Sequence, residues 1–425
     1  MSLPIDLETA LATARASVAN RLTPLPKDDV DLVETDALDS MGWVDALISI
    51  ESATGIRDFG NPWPDDRPKS IQALAEMICE AQKPAPDIRS GECHRAGTQG
   101  ESEILIGGWG CTLGSRTVNA EQIERDLALP LSKIRDGAGM ESVRVAADGE
   151  DELALAQRAA DNALEMAEVA VEQIDFVVAT STTFLGFPSF AASLHSRLLL
   201  RETSGALDVG GACTGLIYSF AVAKSLLRSR PQGVALVVAA EVHSRRLNAP
   251  QVPGEFRGLF GDGACAFVLT NAAIDARKGG VRLREFVWGC SGAYASSLGV
   301  KVSENAGLIV QFKGEQLAHA AVTEMNRIIG ALESLSAKPR GEVDYFALHQ
   351  PNPRVVEILA DKARIPLERI PLVSKACGNL GSVTCGAGLC QALASLHESG
   401  DRSRIPLIFM AAVAPGLLWG GAFLN

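Results

Sequence analysis

Cys213 is the residue of this chain best suited to act as a nucleophile. It lies in Ala206 to Leu227, where an apolar strand end and a Gly-Gly turn precede a run with helical spacing. Orphan N–H groups at a helix N-terminus lower the pKa of a thiol from about 8.5 and can stabilise an oxyanion. A small buried core residue is the alternative on this stretch alone. The predicted helix buries an apolar stripe with three- and four-residue spacing: Leu216, Phe220, Ala223 and Leu227.

Two other polar residues at predicted strand ends could share a site with Cys213. His349 ends a strand in FALHQPNPRVVE, where Asn352 can cap the next helix ahead of a proline at its first position. Asn379 lies in ACGNLGS, a loop that mirrors the Cys213 loop. A thiol, an imidazole and an amide can together accept an acyl group and stabilise an enolate. We interpret four other histidines as structural: His195, His243, His319 and His397.

From residue 103 onward, apolar strand patterns alternate with amphipathic helix patterns, which predicts an α/β fold. The order also repeats. DELALAQRAADNALEMAEV precedes IDFVVATST, and GEQLAHAAVTEMNRIIGALE precedes VDYFALHQP. Each half then closes with two apolar strands. The repeat predicts a duplicated domain with pseudo-twofold symmetry, its halves at about 103–275 and 276–425 and its functional loops meeting at the centre.

Composition excludes several classes of function. The 425 residues are 47% hydrophobic and 21% charged, which is typical of a globular protein of more than one domain. No apolar run could span a bilayer, and the N-terminus does not resemble a signal peptide, so we expect no membrane partner. Nine scattered cysteines indicate a reducing, cytoplasmic location, and their spacing does not predict a metal site.

The acidic surplus is concentrated at the N-terminus. Residues 1 to 90 hold 16 acidic against 8 basic side chains, out of 51 and 39 in the whole chain. Nucleic acid is therefore not an expected partner, because binding it needs a basic face. Helical patterns over Leu7 to Leu22, from Ser40 onward and over Ser70 to Cys79 predict a small helical bundle in 1–82. Residues 83–102 are polar and rich in Pro and Gly, which predicts a linker.

This N-terminal part resembles an acyl carrier protein. The specific motif is Leu38-Asp39-Ser40-Met41, with Thr54-Gly55-Ile56 closing the helix that follows. The resemblance implies that Ser40 carries covalent 4′-phosphopantetheine, attached by a phosphopantetheinyl transferase. A hydroxyl at an exposed helix N-terminus suits that role, because the new phosphate would face favourable N–H groups. The alternative is an ordinary N-cap serine.

Residues 103–425 resemble the thiolase superfamily, most closely ketoacyl-acyl carrier protein synthase III. The motifs are GACTG around Cys213, LFGDGACAFVL, HQPN at 349 to 352, GN at 378 to 379, and LLWGGAF. The resemblance implies a five-layer α-β-α-β-α fold and a homodimer. It also implies that Cys213 is acylated, while His349 and Asn379 hold a malonyl thioester as it loses CO2. Phe187, in a Gly-Phe-Pro-Ser motif, would close the partner's acyl pocket, unless it only packs in the core.

Two departures from the family pattern matter. Members charged by coenzyme A grip the nucleotide with a tryptophan and an arginine, and the matching region LPLSKIRDGAGMESVR lacks the tryptophan and a clear equivalent of the arginine. This favours a carrier-bound donor. Where the family has a glycine run that donates to the oxyanion, this chain has Ala414-Pro415-Gly416. Proline has no N–H to donate.

The leading hypothesis is a carrier-fused ketoacyl synthase that uses decarboxylative Claisen condensation in fatty acid or polyketide-type biosynthesis. Its substrates would be acyl and malonyl thioesters on carrier protein or coenzyme A. The alternative is an acyltransferase of the same fold that passes the Cys213 acyl group to an alcohol, amine or thiol. A third hypothesis, a catalytically silent scaffold, is disfavoured by the intact set of Cys213, His349 and Asn379.

Overall fold

The computed structural model divides the chain into two compact units. Unit 1 is Met1–Arg95 with Lys313–Thr323, and unit 2 is Ala96–Phe312 with Glu324–Asn425. The predicted linker, 83–102, and the residues just before Ser40 lie outside the described residues. The structure describes residues 5–19, 22, 24–30, 32, 40–56, 70–80, 103–248, 252–271, 280–291, 298–303, 307–312, 314–399 and 405–425.

Unit 1 contains the three helices predicted near the N-terminus. They are α1 (Leu7–Ala19), α2 (Ser40–Thr54) and α3 (Ile71–Glu80). Helix α2 begins at Ser40 and ends before Gly55, whose φ of 73° favours glycine. The Ser70 hydroxyl accepts the Ala73 N–H at 3.1 Å and so caps α3. The three helices share one apolar core: Ala10, Ala14, Val18, Leu32, Trp43, Ala46, Leu47, Ile50, Ile71, Leu74, Ala75 and Ile78.

Unit 2 is an α/β domain in which strands and helices alternate, as predicted. Its helices are α4 (Ala120–Asp126), α5 (Glu152–Ala167), α6 (Phe190–Arg197), α7 (Gly215–Leu227), α8 (His243–Arg246), α9 (Gly254–Arg257), α10 (Gly314–Ser336, which begins in unit 1), α11 (Pro353–Ala363), α12 (Ser374–Cys377) and α13 (Val383–Ser399). Its strands are β1 (Ile104–Leu113), β2 (Arg116–Asn119), β3 (Ser142–Val145), β4 (Phe176–Thr180), β5 (Gly205–Asp208), β6 (Val234–Val242), β7 (Asp262–Asn271), β8 (Val281–Cys290), β9 (Leu298–Ser303), β10 (Gly307–Phe312), β11 (Tyr345–Leu348), β12 (Ile408–Ala414) and β13 (Leu418–Leu424).

Nine strands form one sheet in the order β11-β12-β13-β8-β1-β7-β6-β4-β5. Each half contributes the same pattern. In the first, β4 runs parallel to β6 and β6 antiparallel to β7; in the second, β11 runs parallel to β12 and β12 antiparallel to β13. The halves meet where β1 pairs with β8 through Leu105 and Ile106. The strand predicted from Ile405 begins three residues later, at Ile408.

Both faces of the sheet are covered in the first half, which explains why β6 and β7 are apolar at every position. Alternate residues of β6, such as Leu236 and Val238, pack with α5 and α6. The intervening residues, such as Val237, pack with α7 and α13 in the central cluster of the domain. The predicted stripe of α7, from Leu216 to Leu227, is fully buried there. Among the described helices, none is long and apolar enough to cross a membrane.

Candidate active site

Cys213 lies in a short 3-10 turn, Ala212–Thr214, that leads directly into α7. The turn is sharply constrained. Gly211 has a φ of 142°, and Ala212, which is not a glycine, has a φ of 47°. The Thr214 hydroxyl donates to the Gly211 carbonyl at 2.7 Å. A left-handed alanine costs free energy, so the surrounding packing must hold this turn in place for the thiol.

Burial dominates the electrostatics of the Cys213 thiol. It raises the pKa of Cys213 to about 12, because a buried thiolate loses its hydration, and the carboxylate of Glu241 raises it further. The backbone N–H of Cys213 acts in the opposite direction. The expectation from sequence, that the helix terminus lowers this pKa, is therefore wrong in direction. The helix terminus is present, but desolvation outweighs it.

His349 immediately follows β11 and is buried. Its backbone N–H donates to the Ala411 carbonyl at 2.8 Å. The predicted cap is confirmed: the Asn352 side chain accepts the Val355 N–H at 2.9 Å, with Pro353 at the first position of α11. Burial, followed by the nearby His243, lowers the pKa of His349 to about 4, against a hydrogen bond with the Gly381 backbone. At neutral pH the imidazole is thus uncharged.

Asn379 is held by backbone pairing to the loop before β7. Its N–H donates to the Leu259 carbonyl at 2.8 Å, and its carbonyl accepts the Gly261 N–H at 3.0 Å. Its side-chain Oδ1 accepts the Gly381 N–H at 2.9 Å. The amide oxygen is therefore engaged inside the protein, and the amide Nδ2 is the group left to donate elsewhere.

The structure brings the loops of Cys213, His349 and Asn379 together through shared neighbours. Strand β12, which accepts the His349 N–H, packs against the Cys213 turn. The Ala411 carbonyl that accepts this N–H also accepts a hydrogen bond from the Cys385 thiol at 3.4 Å. Cys385 in turn lies close enough to Cys213 for the Cys213 thiol to raise the pKa of Cys385. Ser40 belongs to unit 1.

Glu241 is a site residue that the sequence interpretation missed. It is fully buried at the end of β6 and accepts hydrogen bonds from both the N–H and the hydroxyl of Thr182. It also accepts the Ser382 hydroxyl at 2.6 Å, three residues beyond Asn379. The carboxylate therefore ties the end of β4 to the Asn379 loop beside Cys213. A charged residue ending the apolar run VALVVAAEV is the sequence signal that could have identified it.

Pro415 begins a 3-10 turn, Pro415–Leu417, directly after β12. Gly416 has a φ of 79° and Leu417 a φ of 48°, so the chain reverses sharply here before β13. Because β12 and β13 both pack against the Cys213 turn, this reversal belongs to the same part of the molecule as the thiol. The family resemblance leads us to expect an oxyanion donor at this turn, and a proline there has no N–H to donate.

The raised pKa of Cys213 predicts how this thiol responds to pH. Below about pH 12 its thiolate fraction, and hence its alkylation rate, should rise tenfold per pH unit instead of levelling off near pH 9. Glu241→Gln removes a negative charge and should shift the profile to lower pH. Iodoacetamide labelling with peptide mass analysis measures both. A plateau near pH 8 to 9 in the unmodified protein would contradict the prediction.

Comparisons with known proteins identify the family of this chain. Residues 207–292 match the family model 3-Oxoacyl-[acyl-carrier-protein (ACP)] synthase III, and residues 336–425 match its C-terminal model. The β-ketoacyl-[acyl-carrier-protein] synthase III of Thioalkalivibrio sulfidiphilus is 30% identical over 331 residues, covering 75% of this chain and 98% of that protein. The chain belongs to the 3-oxoacyl-[acyl-carrier-protein] synthase III family. It is accordingly an enzyme of an acyl-transferring, condensing class with a thiolase-like α/β fold.

Solved structures agree with membership of the synthase III family. The 3-oxoacyl-(acyl carrier protein) synthase III of Pseudomonas aeruginosa is 26% identical with a TM-score of 0.66, covering 76% of this chain and 98% of that one. Xanthomonas campestris OleA, at 19% identity and a TM-score of 0.66 over 76% of this chain and 98% of its own, shares the fold. These matches span about three quarters of the chain.

Proposed function

We propose that this chain is a β-ketoacyl synthase that forms a carbon–carbon bond by decarboxylative Claisen condensation. The observation that carries the proposal is the placement of Cys213, His349 and Asn379 on strand-end loops that share neighbours within one domain. A partly buried thiol in the same domain as an uncharged imidazole and an amide donor suits acyl transfer followed by enolate chemistry. Family membership supports the same class. The pathway would be fatty acid or polyketide-type biosynthesis.

In the first half-reaction Cys213 accepts an acyl group from a thioester. Its sulfur bonds to the acyl carbon, the carbon–sulfur bond of the donor breaks, and the departing thiol takes the proton that Cys213 loses. A thiol with a pKa of about 12 is protonated at neutral pH, so this proton must be removed as the sulfur attacks.

In the second half-reaction His349 and Asn379 bind the thioester carbonyl of a malonyl group. The bond between the α-carbon and the carboxylate breaks, CO2 leaves, and the electron pair forms an enolate that the two side chains stabilise by hydrogen bonds. The enolate carbon attacks the acyl carbon on Cys213, and the sulfur departs as the β-ketoacyl product forms. An uncharged His349 still carries one ring N–H, which can donate such a hydrogen bond.

We further propose that the acyl donor arrives on a carrier protein. In LPLSKIRDGAGMESVR both arginines have partners within the protein. Arg135 pairs with Glu121 at 2.7 Å, and the Arg144 Nε donates to the Gly114 carbonyl at 2.9 Å. With no tryptophan in the same segment, the region offers little to grip a nucleotide. A malonyl-carrier thioester is the expected extender.

The proposed prosthetic group, 4′-phosphopantetheine, would be held by Ser40. Ser40 is the first residue of the fifteen-residue helix α2 in a compact three-helix unit, and this placement fits attachment of a phosphate-linked group. The group supplies a thiol on which an acyl chain is carried as a thioester. Its attachment requires a phosphopantetheinyl transferase as a partner.

Replacing Ser40 with Ala tests this assignment. We expect the unmodified protein, treated with a phosphopantetheinyl transferase and coenzyme A, to gain one phosphopantetheine by intact mass, and Ser40→Ala to gain none. Ser49→Ala, on the same helix, is the matched control and should be modified normally. Turnover at low substrate should fall in Ser40→Ala, because tethering raises effective concentration. Equal modification of both variants would exclude Ser40.

A second copy of the chain is the other proposed partner. The side chain of Phe187 is fully exposed, which argues against core packing and supports the homodimer that the family resemblance implies. A cytoplasmic location is supported by the described cysteines, which are all free thiols.

The proposed condensation is tested by following carbon. Protein acylated on Cys213 is given a malonyl thioester labelled at its free carboxylate, and CO2 release is compared with product mass. We expect one CO2 for each β-ketoacyl product. Release of the acyl group to an alcohol, amine or thiol with no CO2 would instead establish the acyltransferase alternative. That alternative draws its support from Pro415, which departs from the oxyanion arrangement of condensing members.

A further inference from the structure

His243 is a buried histidine beside the candidate site for which the proposed reaction has no use so far. It is the first residue after β6. Its Nδ1 lies 3.2 Å from the Gly261 carbonyl, which can only accept, so Nδ1 carries the proton. The ring also stacks on Phe260 with centroids 4.7 Å apart. A backbone anchor and an aromatic neighbour therefore fix the ring in one orientation.

The Cε1–Nε2 edge of this ring meets Gly381. A β-carbon at Gly381 would lie 2.6 Å from Cε1 and 3.0 Å from Nε2 of His243, and the φ of Gly381 is 59°. The His243 ring thus fills the space where a side chain would stand. Any movement of the ring edge would change the position of this glycine.

Gly381 is the residue through which His243 can reach both groups that act on the malonyl carbonyl. Its N–H donates to the Asn379 side chain at 2.9 Å, and its backbone lies close enough to the His349 ring to raise the pKa of that ring. Phe260, which supports the His243 ring, forms a β-bridge with Asn379. Two separate routes therefore connect His243 with the Asn379 loop.

The duplicated architecture gives independent support. Strand β6 ends at Val242 and its counterpart β12 ends at Ala414, so His243 and Pro415 occupy equivalent positions in the two halves. Pro415 follows a strand that packs against the Cys213 turn, whereas His243 contacts the loop of Asn379. The end of each strand thus lies near the other half's loop, and in the first half His243 itself makes the contact.

We propose that His243 is a positioning residue for the decarboxylation step: its anchored ring holds Gly381 and so sets the Asn379 amide and the His349 ring for the malonyl carbonyl. The inference rests on the proposed function for its kinetic consequence. It adds a residue that acts on one half-reaction only. Cys213, on a different loop, should be acylated normally without it.

The test compares His243→Asn with the matched control His195→Asn, which changes an exposed histidine of α6 bonded to the Arg201 carbonyl. Asn keeps a donor for the Gly261 carbonyl but removes the ring edge that meets Gly381. We expect acylation of Cys213 to change by less than about threefold in His243→Asn, while CO2 release from malonyl thioester falls about 100-fold, the loss typical of a displacement near 1 Å. His195→Asn should match the unmodified protein in both assays.

A spectroscopic measurement makes the inference independent of the reaction. In protein with ¹⁵N-labelled histidine, His349 should show one tautomer in the unmodified chain and in His195→Asn, and a tautomeric mixture in His243→Asn. Loss of both half-reactions together with an unchanged His349 signal would overturn the inference in favour of a structural role, as would a variant with normal CO2 release. If the unmodified protein releases no CO2, the proposed function fails, and the His349 signal alone decides this inference.

Discussion

Cys213→Ala is expected to lower formation of the β-ketoacyl product roughly 10⁴-fold or more, the scale on which loss of a catalytic nucleophile acts in enzymes that use covalent intermediates. The reason is that the acyl group then has no acceptor before carbon–carbon bond formation. His349 and Asn379 remain in place, so any CO2 still released should accompany an unextended acetyl thioester. Product mass and labelled CO2, measured on the same sample, distinguish the β-ketoacyl product from the unextended acetyl thioester.

The matched control for Cys213→Ala is Cys111→Ala. Burial raises the pKa of Cys111 to about 12 as well, but Cys111 lies within strand β1. An equal loss of β-ketoacyl product in the two variants would show that the loss comes from disturbing the packing around a thiol. It would then not be evidence that Cys213 is a nucleophile. A product yield in Cys213→Ala within tenfold of normal would contradict the covalent mechanism.

Pro415→Gly is expected to accelerate acylation of Cys213 by as much as about 100-fold. It restores a backbone N–H where the family resemblance leads us to expect one, and an oxyanion donor is worth about 3 kcal/mol of transition-state stabilisation. The 3-10 turn Pro415–Leu417 follows β12 without a break, so a new donor at this position would be carried by a strand that already packs against Cys213. Single-turnover acylation followed by intact mass measures the rate.

Pro415→Ala separates the donor from flexibility. Alanine also restores the N–H but leaves the backbone stiffer than glycine does. We therefore expect the rate of Cys213 acylation to increase by a similar factor in the two variants. A faster acylation in Pro415→Gly alone would indicate that the substitution acts by loosening the turn. An unchanged rate in both variants would mean that another donor, such as the Gly416 N–H, already stabilises the oxyanion.

Much of the fold could be predicted from sequence because the signals are local. Helix α7 and the cap of α11 depend on spacing and on residues within one turn, and both are confirmed. Strand β12 begins later than predicted, because Ile405 is exposed outside the sheet, whereas the apolar residues from Ile408 onward pair within it. Hydrophobic pattern alone does not distinguish these two situations.

The electrostatics of the site could not be predicted in the same way. The pKa of Cys213 depends on burial and on Glu241, and the carboxylate of Glu241 is itself held by Ser382, 141 positions away. Likewise His243 looks like an ordinary structural histidine until Gly381 is folded against it. Interactions between distant segments leave no pattern in a single sequence.

The equivalence of the two halves has an evolutionary consequence. Register places Ser181, after β4, in the position that His349 holds after β11, and the Cys213 loop in the position of the Asn379 loop. After duplication, one copy thus kept a thiol and the other an imidazole and an amide. Neither half alone holds the side chains that the proposed reaction uses, so a single ancestral unit would have needed a second copy of itself or a simpler reaction.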